Sequence, residues 1–402
     1  MKNRPVYLKK LSPFVNKHMI KVVTGIRRSG KSMLLDLFRA HLLESGVKEG
    51  QIIKHNFEEF RYDGMDHKTL YALIEEQTAE KGEKYYLLLD EIQRIPDWEI
   101  TVNALFLSPD LDIYLTGSNA KLLSSEISTY LTGRYVEIKM LPLSFKEYLD
   151  FIDFAAGGDT ARAFADYLEY GGFPGRIDIV ETPRANMDFL SGVYNTILMK
   201  DVITRNIIKD PPLLENLMKY LADNIGNPVS AKKISDYLSS AGQKTSSETV
   251  ENYLHHLEEA FIIYKASRYD LKGKLLLKTQ AKYYLTDSGI RTLLLSDGSR
   301  DYGRLLENVV YFELLRRGYR VNVGKSDDLE IDFVAKNLDE LIYCQVVASV
   351  MDPATLEREV RPLEKLNDNH EKVVLTMDRL PFKDYRGIKI RNILDFLLEE
   401  QA

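Results

Sequence analysis

Between residues 20 and 140 the apolar positions fall into short solid runs, and longer stretches of helical spacing lie between some of them. Ile20-Lys21-Val22-Val23-Thr24 is short, β-branched and apolar, which predicts a buried strand. Met33, Leu34, Leu37, Phe38 and Leu42 then recur at helical spacing, predicting a helix through about Leu43. Tyr85-Tyr86-Leu87-Leu88-Leu89 predicts a second buried strand. Leu111 to Thr116 and Tyr135 to Lys139 predict two more.

The pattern changes after Ala155-Ala156-Gly157-Gly158-Asp159, a small-residue linker. A helix is predicted through Tyr167, and then Tyr170-Gly171-Gly172-Phe173-Pro174-Gly175-Arg176 marks a turn. Residues 182 to 208 carry an apolar stripe of Met187, Leu190, Val193, Tyr194, Ile197 and Leu198, which predicts a helix. Asp210-Pro211-Pro212 is a boundary. Beyond it three helices are predicted: Leu213 to Ile225, Ser230 to Ser239 capped by Ser230, and Ser247 to Ala260. Phe261-Ile262-Ile263-Tyr264 opens a hairpin that returns through Ala281-Lys282-Tyr283-Tyr284-Leu285. After a joint at Asp297-Gly298-Ser299, Leu305 to Arg317 reads as an amphipathic helix. Arg320 to Val323, Glu330 to Val334 and Leu341 to Val347 read as strands.

Composition narrows the class. With 402 residues, 45% of them hydrophobic, the chain suits several packed units and is not mainly disordered. Lys plus Arg number 54 against 60 for Asp plus Glu, a net charge of −6, so a uniformly basic nucleic-acid coat is excluded while a local basic face is not. The lone cysteine, Cys344, allows no internal disulfide and no Cys-based zinc site, which fits a reducing compartment. No apolar run approaches the roughly 18 residues of a membrane span, and no signal-peptide core follows Met1. A soluble cytoplasmic protein with no membrane association is the expectation.

The candidate chemistry starts where the first strand meets the first helix. Gly25-Ile26-Arg27-Arg28-Ser29-Gly30-Lys31-Ser32 stands between them, the context of a Walker A motif. Gly25 and Gly30 let the backbone curl so that N–H groups from Gly25 through Met33 face phosphate oxygens, and the helix N-terminus adds positive potential. Arg27, Arg28 and Ser29 belong to that cradle. Lys31 reaches the β- and γ-phosphates of ATP, and Ser32 ligates Mg²⁺. The second strand ends in Asp90-Glu91, the Walker B pattern: Asp90 holds Mg²⁺ through its water shell and Glu91 polarises the attacking water. The third opens into Gly117-Ser118-Asn119, where Asn119 or Ser118 contacts the γ-phosphate or the water, unless the segment is a plain turn. Arg134 in Thr132-Gly133-Arg134 is either an arginine finger or a surface arginine.

The P-loop run, Leu89-Asp90-Glu91-Ile92-Gln93, Leu115-Thr116-Gly117-Ser118, Gly133-Arg134 and Pro142-Leu143-Ser144-Phe145-Lys146-Glu147-Tyr148-Leu149 together resemble a prokaryotic group of AAA-type ATPases with an appended C-terminal region. The resemblance covers nearly the whole chain. It implies a P-loop core of strand order 5-1-4-3-2 and, since AAA-type relatives often form rings, a homo-oligomer. The expected architecture is α/β: a P-loop AAA-type ATPase core over 1–155, a helical lid over 156–210, a winged-helix-like module over 211–296 and a restriction-endonuclease-like α/β domain over 297–402.

The three helices and hairpin resemble a winged helix-turn-helix. Arg268, Lys272, Lys274 and Lys278 lie at the strand tip, and Lys244, Thr245, Ser246 and Ser247 begin the third helix, where DNA contacts would fall. Glu248, Glu251, Glu258 and Glu259 on that helix would repel phosphate, so a protein partner is as good a reading as DNA. The last region resembles the restriction-endonuclease-like core, which uses a helix Glu, a strand Asp, and Glu or Gln followed two positions later by Lys. Glu307, Asp332 and Gln345 come in that order, but Val347 stands where the lysine belongs. Valine cannot stabilise charge at a phosphate, so the nuclease site reads as degenerate. Two functions follow: an ATP-driven switch or remodeller acting on a protein or nucleic-acid partner, or a DNA-processing enzyme with an ATP-gated metal-dependent nuclease.

Overall fold

A computed structural model describes residues 2–79, 82–123, 133–179, 182–273, 275–295, 301–326 and 329–400. Lys274 and the Asp297–Ser299 joint lie outside the described residues. The chain divides into two compact units: Met1–Pro142 with Glu259–Phe261, and Leu143–Glu258 with Ile262–Ala402.

The first unit is a five-stranded sheet. Its strands are β1 (Ile20–Thr24), β2 (Ile52–Asn56), β3 (Tyr85–Asp90), β4 (Leu111–Gly117) and β5 (Tyr135–Lys139), in the order β2-β3-β4-β1-β5 and all parallel. This is the order 5-1-4-3-2. Every residue of β1 and β3 is buried, as their unbroken apolar runs predicted. Side chains alternate between faces. Val22, Leu87, Leu89 and Leu115 meet Trp98 and Val102 of α4 (Trp98–Leu105) and Leu70 and Ile74 of α3 (His67–Gln77). Val23, Leu88 and Tyr114 meet Leu34, Phe38 and Leu42 of α2 (Lys31–Glu44) and Tyr7 of α1 (Pro5–Leu11). Lys21, fully buried in β1, pairs with buried Asp112 and donates to the Lys17 carbonyl at 2.9 Å.

The second unit begins with a capping box. Ser144 Oγ accepts from Glu147 N, and Glu147 returns the bond to Ser144 N, starting α5 (Phe145–Phe151). Phe145 packs on Phe164 and Tyr167 of α6 (Thr160–Tyr170). The glycine–proline turn after α6 is fastened by Asp287, which accepts from Gly172 N at 2.7 Å and Gly289 N at 2.9 Å. A Cβ on Gly171 would stand 1.7 Å from the Asp287 carboxylate, so no other residue fits there. The stripe over 182–208 forms α7 (Pro183–Thr196), continued by a π-helical stretch at Ile197–Thr204.

The next helices are α8 (Pro211–Asp223), α9 (Ala231–Ser240) and α10 (Ser247–Glu259), with Ser230 capping α9 through Lys233 N. They lead into the hairpin β6 (Ile263–Asp270) and β7 (Leu275–Leu285), and then α11 (Ser288–Leu294) and α12 (Tyr302–Arg316). The remaining strands are β8 (Arg320–Ser326), β9 (Leu329–Lys336), β10 (Leu341–Val347), β11 (Glu371–Thr376), β12 (Asp384–Tyr385) and β13 (Ile388–Asn392). One mixed eight-stranded sheet, β12-β13-β11-β10-β9-β8-β6-β7, contains both the hairpin and the later strands, because β6 pairs parallel with β8. No helix among the described residues is long and apolar enough to cross a membrane.

Candidate functional site

The P-loop sits between the end of β1 and the start of α2. Gly25 has φ 149°, and a Cβ there would lie 2.0 Å from the Met140 carbonyl oxygen, so the close passage of the two backbones excludes any side chain. Gly30 caps α2 at φ 100°, which favours glycine. Lys31 is buried and folds back, donating to the carbonyls of Gly25 at 3.0 Å and Ile26 at 3.2 Å. Its ammonium lies 3.7 Å from Glu91 Oε1. Arg27 reaches out to Glu58 at 2.8 Å, Ser29 Oγ is buried with no hydrogen-bond partner, and Met33 is half exposed one turn into the helix.

The parallel sheet carries Asp90 and Glu91 to the same edge. Thr116, near the end of β4, joins them: its hydroxyl donates to Asp90 Oδ1, and it accepts from Glu91 N at 2.9 Å. Glu91 has φ 54° and its Oε2 accepts from Gln93 Nε2 at 2.5 Å. Burial pushes the Asp90 carboxyl up, opposed by the hydroxyls of Ser32 and Thr116. Asp90 Oδ2 is buried and has no hydrogen-bond partner. An acceptor left orphaned beside a serine hydroxyl at a phosphate loop is a costly arrangement unless a cation completes it. The residues present therefore fit Mg²⁺, and Ser32 and Asp90 are the ones that could hold it. Ser118 and Asn119 are both buried just past β4, on the same edge as Asp90.

Arg134 is not brought to this edge. Its carbonyl accepts from Ile20 N, at the start of β1, while the P-loop follows the end of β1. Its guanidinium donates to Asn103 at 2.5 Å and lies 5.6 Å from the Phe106 ring centre. Within one chain the sheet separates Arg134 from Lys31.

Three contributors carried no sequence signal of their own. Thr116 and Gln93 hold the acidic pair. Arg4, buried, donates to the P-loop carbonyl of Ser29 at 2.9 Å and to that of Leu141 at 3.1 Å, and Tyr7 accepts from Leu141 N. Only the fold brings Arg4 to the loop.

A second charged cluster lies in the other unit. Glu307 of α12 and Asp332 of β9 do come together, but around Lys282 of β7. The ammonium lies 2.9 Å from Glu307 Oε1, 3.0 Å from Glu330 Oε1 and 3.2 Å from Asp332 Oδ1. Tyr284 also donates to Glu307 Oε1 at 2.6 Å. Gln345 stands beside them, its Oε1 accepting from Asp332 N at 2.8 Å and its Nε2 donating to Glu359 at 2.9 Å. Asp332 Oδ2 accepts from Val346 N at 3.0 Å. Burial raises the Glu307 carboxyl to about 7. Burial alone would lower Lys282, but the carboxylates of Glu307, Asp332 and Glu330 outweigh it and raise the ammonium. One cation among three carboxylates leaves surplus negative charge, and the most buried carboxyl takes up a proton more readily. Of the hairpin's basic residues, Arg268 donates to Gln280 at 2.6 Å.

The AAA domain family matches residues 17–149, and a domain of unknown function (DUF8612) matches residues 161–301. An uncharacterised protein of Haemophilus influenzae is 40% identical over 401 residues, covering 99% of each chain. An uncharacterised protein of Methanocaldococcus jannaschii is 30% identical over 361 residues, covering 86% of this chain and 78% of that one. Among solved structures, the Aeropyrum pernix ORC2 protein aligns with a TM-score of 0.42 at 13% identity, over 77% of this chain and 92% of that one. C. elegans PCH-2 aligns at 0.27 and 12%, over 63% and 66%. The chain therefore belongs to the same family as the Haemophilus and Methanocaldococcus proteins, and its residues 17–149 match the AAA domain family.

Proposed function

We propose that this protein is a Mg²⁺-dependent ATPase that works as a molecular switch or remodeller, its second unit engaging a protein or nucleic-acid partner. The observation that carries the reading is the pairing of Lys31 with Glu91 and with two loop carbonyls. Each of these contacts is one that a triphosphate replaces: the γ-phosphate draws Lys31 off the carbonyls, and Glu91 is released to orient water. Ser32 and Asp90 would hold Mg²⁺, which would supply charge neutralisation at the phosphates. Thr116 keeps Asp90 and Glu91 in place, and Asn119 or Ser118 faces the γ-phosphate. Arg134, on the far edge of its own sheet, acts as a finger on the nucleotide of a neighbouring copy, which makes the working form a homo-oligomer.

Residues 156–210 serve as the helical lid. The winged-helix-like reading of 211–296 is supported by three helices, a hairpin and a bridge between Val229 and Ala281 that ties the segment before α9 to β7. The meeting of Glu307 with Asp332 favours a restriction-endonuclease-like core for 297–402 and keeps the DNA-processing reading as the second one. Val347 weighs against cutting.

The test is calorimetric titration of ATP with Mg²⁺ into wild type and Lys31→Ala. The reading expects saturable binding that weakens by at least about tenfold in the variant. Unchanged affinity in a folded variant contradicts it.

A further inference from the structure

The resemblance of residues 297–402 to metal-dependent nucleases implies a divalent ion between Glu307, Asp332 and Gln345. The residues present do not fit one. Gln345 Oε1, which would have to be the third oxygen, is spent on Asp332 N, and the other side of that amide is fixed by Glu359. Asp332 Oδ2 is spent on Val346 N, and Glu307 Oε1 already accepts from both Tyr284 and Lys282. Among the described residues no group of three or more His, Cys, Asp or Glu side chains is placed to hold a metal.

The space between the carboxylates already contains a cation. An ammonium has three N–H donors and no acceptor, and Lys282 has three carboxylate oxygens within 3.2 Å, one each from Glu307, Glu330 and Asp332. Its side chain is 3% exposed. The donor count and the acceptor count match, so the ammonium is saturated in the way a small metal ion is saturated by its ligands. A lysine with one free donor would be a candidate to meet a substrate phosphate; this one has none to offer while the three acids hold it.

We infer that Lys282 is the resident cation of this cluster: its tethered ammonium stands where a divalent metal would, and the second unit therefore binds no metal there and cleaves no phosphodiester by metal chemistry. The consequence is that the lysine masks a latent site. Take away the ammonium and three carboxylates remain, converging from α12 and β9 on one vacated point. That is a donor set for a hard divalent cation. The inference stands apart from the ATPase reading, because none of these residues belongs to the P-loop unit.

The probe is Mn²⁺ without nucleotide, followed through the paramagnetic signal of the free ion, on the full chain. Binding at the cluster is defined as binding lost on Asp332→Asn. Wild type is expected to show none at micromolar Mn²⁺. Lys282→Met, which keeps the stem and removes the charge, is expected to gain one such site, at least about tenfold tighter than anything Asp332-dependent in wild type. If Lys282→Met is only marginally stable without metal, Mn²⁺ raising its unfolding temperature, and failing to do so in Lys282→Met/Asp332→Asn, gives the same support. Asp332-dependent Mn²⁺ binding by wild type overturns the inference. So does a Lys282→Met protein that neither binds Mn²⁺ nor is stabilised by it. Metal-dependent plasmid nicking by wild type, lost in Asp332→Ala, also overturns it and makes Lys282 the displaced nuclease lysine.

Discussion

Lys31 and Lys282 are both buried, and both sit beside acids, yet they are held in opposite ways. Lys31 donates to two backbone carbonyls and stands 3.7 Å from Glu91 Oε1, with the Asp90 carboxylate acting on it through charge. Each contact is neutral or loose, and a phosphate oxygen can replace it at little loss. Lys282 touches three carboxylates within 3.2 Å, which a neutral or singly charged newcomer cannot match. A buried lysine signals exchange with a ligand when its partners are weak, and internal neutralisation when they are strong and complete.

The largest effect should come from the turnover that the Lys31 site supports. Arg134→Ala is expected to lower ATP turnover by about 10³ or more, and mixing it with Lys31→Ala subunits should restore part of the activity, read by steady-state phosphate release. Mixed subunits that stay inactive count against action across copies. The next effect sharpens the second arrangement. Lys282→Met leaves three converging carboxylates without their cation and is expected to cost about 3 kcal/mol or more, measured by denaturant unfolding without divalent ions. A loss below about 1 kcal/mol would mean that the ammonium contributes little there.

Arg4 offers a smaller test inside the P-loop unit. Arg4→Ala removes the donors that hold the Ser29 and Leu141 carbonyls and should raise KM for ATP by about tenfold while kcat stays within about twofold. Arg4→Lys should recover part of the affinity; a purely structural arginine would show lowered stability and no such division.

The smallest effect is a slope with pH. Burial raises Glu307 to about 7 and Asp287 to about 6. The folded chain thus keeps protons that the unfolded chain releases, so these groups make stability fall as pH rises from about 4 to about 7. Lys282 is cationic throughout that range. Glu307→Gln should flatten the slope of unfolding temperature against pH, and an unchanged slope would show that Glu307 titrates in its ordinary range.

The two sites also differ in how far the sequence discloses them. Gly25 to Ser32 is contiguous, and its spacing is dictated by a phosphate, so residues and chemistry are read together. Asp90 and Glu91 are found because an apolar strand must end in them at the ligand-bearing edge. The strand order follows from the resemblance and is the one observed. Thr116 reads as a strand residue and as part of a motif, Gln93 only as part of a motif, and Arg4 carries no signal, since each acts through proximity that the fold creates. Lys282 was hidden most thoroughly. It stands in a strand run, Ala281-Lys282-Tyr283-Tyr284-Leu285, where a lysine reads as an outward residue. In the family spacing the positive charge belongs two positions beyond Gln345, where Val347 stands. The charge comes from β7, far earlier in the chain, and only the shared sheet and α12 bring it to Glu307 and Asp332.

The central claim is that nucleotide turnover takes place where Lys31 and Glu91 now face each other. The direct test is steady-state ATP hydrolysis by Glu91→Gln, with ATP affinity measured on the same preparation. Shape and hydrogen bonding are preserved by the amide, and the base character is lost. The account predicts retained ATP binding and turnover reduced by about 10² or more. Turnover within about twofold of wild type, with binding intact, would contradict it.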